Sequence, residues 1–570
     1  MQLKEYGKFL EVARGEREAD LILSKAKIVN VFTEEIYLED VVIYKDTIVG
    51  LGKGYKAKEV LNLEGRYLLP GFLESHIHIE STFLNPAEFA KVVARWGTCC
   101  VVCDPHEIAN VLGRKGIELF LQLTEDLPVD IFFMAPSCVP ASNFETSGAV
   151  LTSEDIDYLF SHHAHRFLGL AEVMNYPGAY LGDLELLKKI ELAQKRHLAV
   201  DGHAPLLSGK LLNAYILAGA KSDHECSLLE EAKEKLRKGM HIFIREGSSE
   251  KNLESLIPLI KTNSERISLV TDDRHADELY YHGHLNYNLK KCIQLGIDPV
   301  KAIKLVTINP ASYFKLNKYG AIAPGYKANL VVVNDLQELE IEKVFLKGKS
   351  LDKHKFDKKI DFPIKKLNFS PITEKDFHIP KKGDKIRIIE IIPNQIITNS
   401  KEVLPTIIDD RVVSDITRDI VKIAVIERHK NTGNIGLGFV QGLQLEKGSL
   451  ASTVAHDSHN LIVAGVDDKD MVVATNFLRE QGGGLAVVVN QKVCAYLALP
   501  LAGLMSLDRA EEVVKKLKEI DAEVKKISRL GSLAFMYLSF LALPVIPKLK
   551  ITDRGLFDGE KFSFTSLFNS

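Results

Sequence analysis

"GFLESHIHIEST", residues 71–82, sets His76 and His78 two apart at the end of an apolar run. Side chains two apart point the same way from a strand and in different directions from a helix. The preceding "RYLLPGF" (66–72) is apolar enough for a buried strand, so both imidazoles are expected on one face, an arrangement that chelates a metal ion. The bland alternative is two histidines lining a strand end. Further ligands decide between them.

Working outward, a beat repeats from about 68 to 275: a short apolar run, a polar or Gly/Pro break, then a helical stretch. After "YLLPGFLESHIHI" (67–79) come "TCCVVCDP" (98–105), "VDIFFMAPSC" (129–138), "FLGLAEVM" (167–174), "HLAVDGHA" (197–204), "AKSDHE" (220–225), "MHIFIREG" (240–247) and "ISLVTDD" (267–273). Eight strand-like runs separated by helix-length segments predict an α/β fold, a (β/α)8 TIM-like barrel over 68–317. The flanks, 19–52 and 320–349, read as short strands with turns, and predict one small β-sandwich from 1–67 plus 318–350. Residues 351–385 are rich in Lys, Asp and Pro and read as a linker. A C-terminal α/β domain is expected over 386–570. Its glycine triplet in "QGGGLAVV" has no following Lys-Ser or Lys-Thr and reads as a turn rather than a phosphate loop.

Composition sets the bounds. The 570 residues are 46% hydrophobic and 26% charged with a formal net charge of −3, which gives no electrostatic reason to expect nucleic acid or an acidic membrane surface as partner. The charged start "MQLKEYGKFLEVARGEREAD" lacks the apolar core of a signal peptide. Seven cysteines, an odd number widely scattered, argue against a disulfide framework and for a reducing, cytoplasmic setting. "LGSLAFMYLSFLALPVIPKL" (530–549) is long and apolar, but its prolines and serines favour a buried core element over a membrane span. Oligomeric state stays open, a homo-oligomer included.

Barrel active sites sit at the carboxyl ends of the strands. His76 and His78 end the first run, Glu172 the fourth, His203 the fifth, His224 the sixth and Asp272 the eighth. One histidine at a strand end is usually just a satisfied polar group. Six such groups at the ends of five strands suit one or two divalent ions, zinc, manganese or iron, and two ions bridged by a carboxylate would use all six. "CDPHE" ends the second run at the same rim, so Asp104, His106 and Glu107 are candidates for holding substrate, or else a polar cap on the next helix. In the last domain "AHDSHN" offers His456 and His459 as groups that reach substrate if that domain closes over the barrel mouth. Three decoys fall away. Cys100 and Cys103 are three apart in a strand-like run and face opposite sides; "HEIAN" (106–110) ends in Asn where a zinc-protease helix needs His; and "SHHAH" (161–165) lies in a polar connection.

Gly71-Phe72 followed by His76-Ile77-His78, with the later Glu, His, His and Asp, resembles the amidohydrolase superfamily. "CDPHEIANVLG", "AEVMNYPG", "DGHAPLLSGKLLNAYILAG", "TDDRH" and, near the end, "GSLASTVAHDSHNLIVAG" and "LPVIPKLKITDRGLFDGEKFSFT" resemble the adenine deaminase family within it. The likeness runs over essentially the whole chain. It implies that adenine, a small purine base, is hydrolysed to hypoxanthine and ammonia in purine salvage, at a centre of two divalent ions, Mn(II) or Fe(II), with zinc less expected. It also implies His76, His78, His203, His224 and Asp272 as ligands and Glu172 as bridging carboxylate.

The chemistry adds roles. Displacing an aromatic amine needs an activated water, a proton at N1 and a proton on the departing ammonia. Asp272 is expected to carry the water's proton to the leaving amine, and Glu172 to serve N1. The rival within enzymes is an amidohydrolase that opens a cyclic amide. Such enzymes often use a carboxylated lysine as the bridge, and the fourth strand end here carries Glu172. The rival outside enzymes is a non-catalytic barrel scaffold, which predicts lost ligands where all six are present.

Overall fold

The computed structural model describes residues 3–248, 250–356, 358, 360–393 and 395–569; the extreme ends of the expected domains, 1–2 and 570, lie outside the described residues. All eight strand-like runs form strands: β1 Phe72–Ile77, β2 Thr98–Cys103, β3 Asp130–Ala135, β4 Phe167–Val173, β5 Ala199–Gly202, β6 Ser222–Asp223, β7 His241–Arg245 and β8 Ile267–Val270. They are parallel, and burial explains their composition. Every residue of β1 and β2 is buried, so the runs are continuously apolar or carry polar groups meant for the interior.

The pairing is not one unbroken ring. β1 to β5 make a five-stranded sheet and β6 to β8 a three-stranded one. Backbone hydrogen bonds join the two: Lys221 N donates to Val200 O at 2.9 Å on one side, and Asp272 N to His76 O at 3.1 Å on the other, with Ser222 and Glu74 side chains bonding across the same seams. At β5/β6 the strands are only four and two residues long, and Gly202 lets them approach closely: a Cβ there would lie 2.2 Å from Ser222 O. The eight-strand ladder expected of a barrel is thus found as a curled parallel sheet in two parts.

Polar breaks between the runs act as helix caps. Asn85 accepts from Glu88 N at the start of Pro86–Arg95, and Thr152 forms a capping box with Asp155 at the start of Ser153–His162. The β segments that bracket this region pair with each other in register, Leu68 against Val332 and Leu69 against Val331. They form one hydrogen-bonded eight-stranded sheet rather than two separate sheets, and its inner face buries Leu23, Ile28, Val41, Leu68, Leu330 and Phe345.

The C-terminal region departs from the expected α/β domain: it is mostly sheet. Nine strands form one sheet in which most neighbours run antiparallel, with Ile420–Ile426 between Ile435–Gln441 and Leu461–Gly465. Helix Asp468–Gln481 covers one face, and Gly482, from the glycine triplet, ends it in a left-handed conformation. The stretch expected as a linker also differs in its second half. Leu367, Phe369, Ile372 and Phe377 are buried with Ala424, Val463 and Met471, because these apolar residues complete the face that helix leaves open. The apolar stretch 530–549 contains the eight-residue helix Leu533–Phe540. Among the described residues no helix is long and apolar enough to cross a membrane.

Candidate active site and metal centre

The carboxyl ends of the parallel strands converge. Glu172, the next-to-last residue of β4, is 4% exposed and sits at the middle. Its Oε1 lies 3.4 Å from His78 Nε2 and 3.4 Å from His106 Nδ1; its Oε2 lies 2.6 Å from His203 Nδ1 and 3.1 Å from His224 Nε2. Asp272, just past β8, turns its Oδ1 to His76 Nε2 at 3.5 Å and His78 Nε2 at 3.1 Å. It does so from φ +57°, a left-handed conformation that costs a residue with a β-carbon about 1 kcal/mol and is retained where the geometry is needed. His76 stacks on His224 with ring centroids 4.1 Å apart. All six expected ligands are therefore together.

The donor set fits divalent ions. His78 Nδ1 donates to the Asp104 carbonyl at 3.1 Å, which leaves Nε2 as a lone pair facing two carboxylates. Imidazole nitrogens turned on carboxylate oxygens are held either by a shared proton or by a cation lying among them. His76 Nε2 and His224 Nδ1 are buried without a hydrogen-bond partner among the described residues. Ligand atoms of His76, His78 and Asp272 lie within 4.8 Å of one another, as do those of His76, Glu172 and His224 and those of His203, His224 and Glu225. Nitrogen and carboxylate oxygen without thiolate suit zinc, manganese or iron. Burial opposes ionisation of Glu172 and Asp272, but the surrounding imidazoles, and Arg245 beside Asp272, hold both carboxyls well below the usual range.

The second-strand residues divide between both readings offered for them. Asp104 Oδ1 accepts from His106 N at 3.1 Å, a local cap, while its Oδ2 faces His106 Nδ1 at 3.3 Å. Burial works against a charge on His106, yet the Asp104 carboxylate raises it to about 10. Glu107 is buried and lies 3.3 Å from His456 Nδ1. His456 and Asp457 reach over the strand ends from the C-terminal region; His459 is fully buried, edge-to-face behind His456 at 5.5 Å.

Between these groups lies a cavity of about 380 Å³. One wall carries the metal-type ligands and the other is apolar, formed by Ile396, Ile397, Phe540, Leu543, Val545 and Ile546. The long apolar stretch near the end of the chain thus supplies the roof of the site. A planar, largely apolar ring with polar edges matches such a cavity.

Against known proteins, the sequence model described as "Amidohydrolase family" matches residues 67–351, and that described as "Adenine deaminase C-terminal domain" matches 395–563. The chain is 45% identical over 567 residues to a curated adenine deaminase of Oleidesulfovibrio alaskensis, covering 98% of each chain. It is 44% identical to that of Thermosipho melanesiensis over 100% of both. The chain belongs to the adenine deaminase family.

For a member of the adenine deaminase family, two residues escaped the sequence reading. Arg245 ends β7 and donates from Nη1 to Asp272 Oδ2 at 2.9 Å and to Glu225 Oε1 at 2.7 Å, with Nη2 on Glu225 Oε2 at 3.1 Å. Glu225 Oε1 lies 3.3 Å from His224 Nε2. The signal was present in "IREG" and "DHEC": both residues sit at strand ends on the rim already identified.

Proposed function

We propose that the protein is an adenine deaminase, hydrolysing adenine to hypoxanthine and ammonia. The observation that carries this is Glu172, with four imidazoles within 3.4 Å at the floor of a purine-sized cavity. Similarity to curated adenine deaminases over the whole chain supports it. His76, His78, His203, His224 and Asp272, with Glu172, would hold two divalent ions, Mn(II) or Fe(II). When bound, these ions would supply Lewis acidity, which lowers the pKa of water toward neutrality.

The chain's own groups do the rest. Water adds to C6, and Asp272 takes its proton and hands it to the exocyclic amine, which leaves as ammonia. Glu172 relays the water's second proton from the C6 oxygen to N1, so that the C6 carbonyl forms as ammonia leaves and the carboxylate is restored. His106 and His456 hold the purine edge, oriented by Asp104 and Glu107 at 3.3 Å each, with His459 backing His456. The roof from 396–397 and 540–546 excludes water from the reacting ring.

The same reading takes the two parallel sheets as the wall of a (β/α)8-type barrel over 68–317, supported by the bridge between Ile77 and Asp272. It takes 1–67 plus 318–350 as one flanking unit and 386–570 as the covering one. Seven free cysteines support a cytoplasmic setting, and purine salvage is the use such a reaction serves.

The test is ammonia release from adenine by protein reconstituted with Fe(II) or Mn(II), beside a chelated control. Ammonia with matching hypoxanthine, lost on chelation, is the expected result. No release with any divalent ion would redirect the assignment to a cyclic-amide hydrolase.

A further inference from the structure

Behind the active cavity, where helix Arg114–Leu123 meets residues 362–368 and the nine-stranded sheet, lies a second groove of about 630 Å³. Its polar wall is basic: Arg428, Lys115, Lys365 and Lys366 line it, with Glu118 the one carboxylate among the lining residues. Two of these charges are balanced locally, Lys366 by Glu480 at 2.5 Å and Glu118 by Arg114 at 3.5 Å. Among the described residues no carboxylate lies within ion-pair distance of Arg428, Lys115 or Lys365.

Arg428 is the unusual member. It is 5% exposed, Nη2 donates to Ala502 O at 3.0 Å and Nε to His459 O, and Nη1 lies against Gly503, where a Cβ would come within 2.7 Å of it. Nη1 has no hydrogen-bond partner among the described residues. Arg245, equally buried, is held by two carboxylates. A guanidinium taken out of water is costly when its nearest carboxylate, Glu427, lies beyond ion-pair distance and is spent on the backbone of Lys430 and Thr432, and an anion in the groove supplies the missing partner. The planar fork of arginine with adjacent lysines is the chemistry that grips phosphate oxygens.

We propose that this groove binds a small phosphate-bearing anion, either inorganic phosphate or the phosphate of a nucleoside monophosphate. The volume accommodates a mononucleotide, and the half-buried ring of Phe362 offers a face for its base. The site is coupled to the catalytic one by the chain itself. Arg428 N donates to Asn460 Oδ1 at 3.3 Å, and His429 Nε2 donates to Ser458 O at 2.7 Å. These bonds hold the back of the segment whose front presents His456 and Asp457 to the active cavity. An anion that draws the guanidinium away from His459 O changes how firmly that segment is held.

The test is calorimetric titration of the metal-loaded full chain with inorganic phosphate and, separately, adenosine monophosphate, at constant ionic strength. Wild type is compared with the double variant Lys115→Glu/Lys365→Glu, whose changes are on the surface and leave the fold intact. At least tenfold weaker binding by the variant is expected, with amide-exchange protection of 428–430 on ligand addition to wild type. Tighter binding of the nucleotide than of phosphate identifies a nucleotide site; equal affinities identify a phosphate site. Equal binding by wild type and variant, protection confined to the strand ends near His76 and His224, or no binding at millimolar ligand would each overturn the proposal. Binding is read directly, so its failure leaves the deaminase reading untouched and the reverse also holds.

Discussion

Arg245 Nη1 donates to Asp272 Oδ2 at 2.9 Å, while the other oxygen of that carboxylate faces His76 and His78. One side of Asp272 is thereby fixed and the other left for chemistry. Asp272→Asn keeps the shape and removes the basic oxygen, so turnover falls by about 10³-fold with unchanged circular dichroism. Full activity in that variant would remove Asp272 from the proton path. Arg245→Met leaves the carboxylate free to rotate and lowers kcat by about 10- to 100-fold, with a smaller change in KM.

Glu172 is the hub of the imidazoles, and its loss is read on the metal itself. Glu172→Gln retains the volume and one lone-pair oxygen but not the charge. Elemental analysis of the purified variant is expected to show at least one ion fewer per chain than wild type. Undiminished metal content would mean that the surrounding histidines suffice alone.

Phe540 lies parallel to His456, ring centroids 4.7 Å apart at 18°. Phe540→Ala removes this stack and opens the roof. KM for adenine is expected to rise about tenfold, the worth of one aromatic contact of roughly 1.4 kcal/mol, with kcat changed less. An unchanged KM would show that the roof makes no contact with substrate.

Lys550 is buried, and its Nζ donates to Ile396 O at 2.8 Å and Phe540 O at 3.0 Å, tying together two segments of that roof. Burial pushes its pKa down to about 7. An unfolded lysine titrates near ~10.4, so between about pH 7 and that value the unfolded chain holds a proton that the folded chain lacks. Stability from this group therefore rises with pH across the window and is lowest below about pH 7. The neutral amine has two N–H groups for its two carbonyl partners. Lys550→Met should flatten the slope of urea-unfolding stability between about pH 6.5 and about pH 9, by an amount on the order of a few kcal/mol. Parallel slopes in variant and wild type would show that Lys550 stays charged in the fold.

Much of this was readable along the chain because strand periodicity is local. The runs ending in "HIHI", "GLAEV", "DGH", "SDH" and "LVTD" each carry a polar group where an apolar strand stops, and all became strand ends. Arg245 and Glu225 stand on the same rim, but an arginine is no metal ligand and Glu225 directly follows the histidine taken as one, so only the pairing of Arg245 with Glu225 and Asp272 shows what they do. The C-terminal region, expected as α/β, is mostly sheet for a related reason. A β-branched run such as "IVKIAVI" fixes a strand, but how many strands share one sheet depends on partners as distant along the chain as Lys385 and Asn569.

By itself the sequence determined which residue types could chemically hold an ion and that five of eight strands would present them at their carboxyl ends, since both follow from side-chain chemistry and short-range pattern. Only the tertiary structure decided that Glu172 meets four imidazoles at once and that Arg245 fixes Asp272. It alone decided that residues 396–397 and 540–546 form a roof over a site more than a hundred residues earlier in the chain. Those facts rest on packing between distant segments, where burial of apolar surface selects one arrangement that no local pattern encodes.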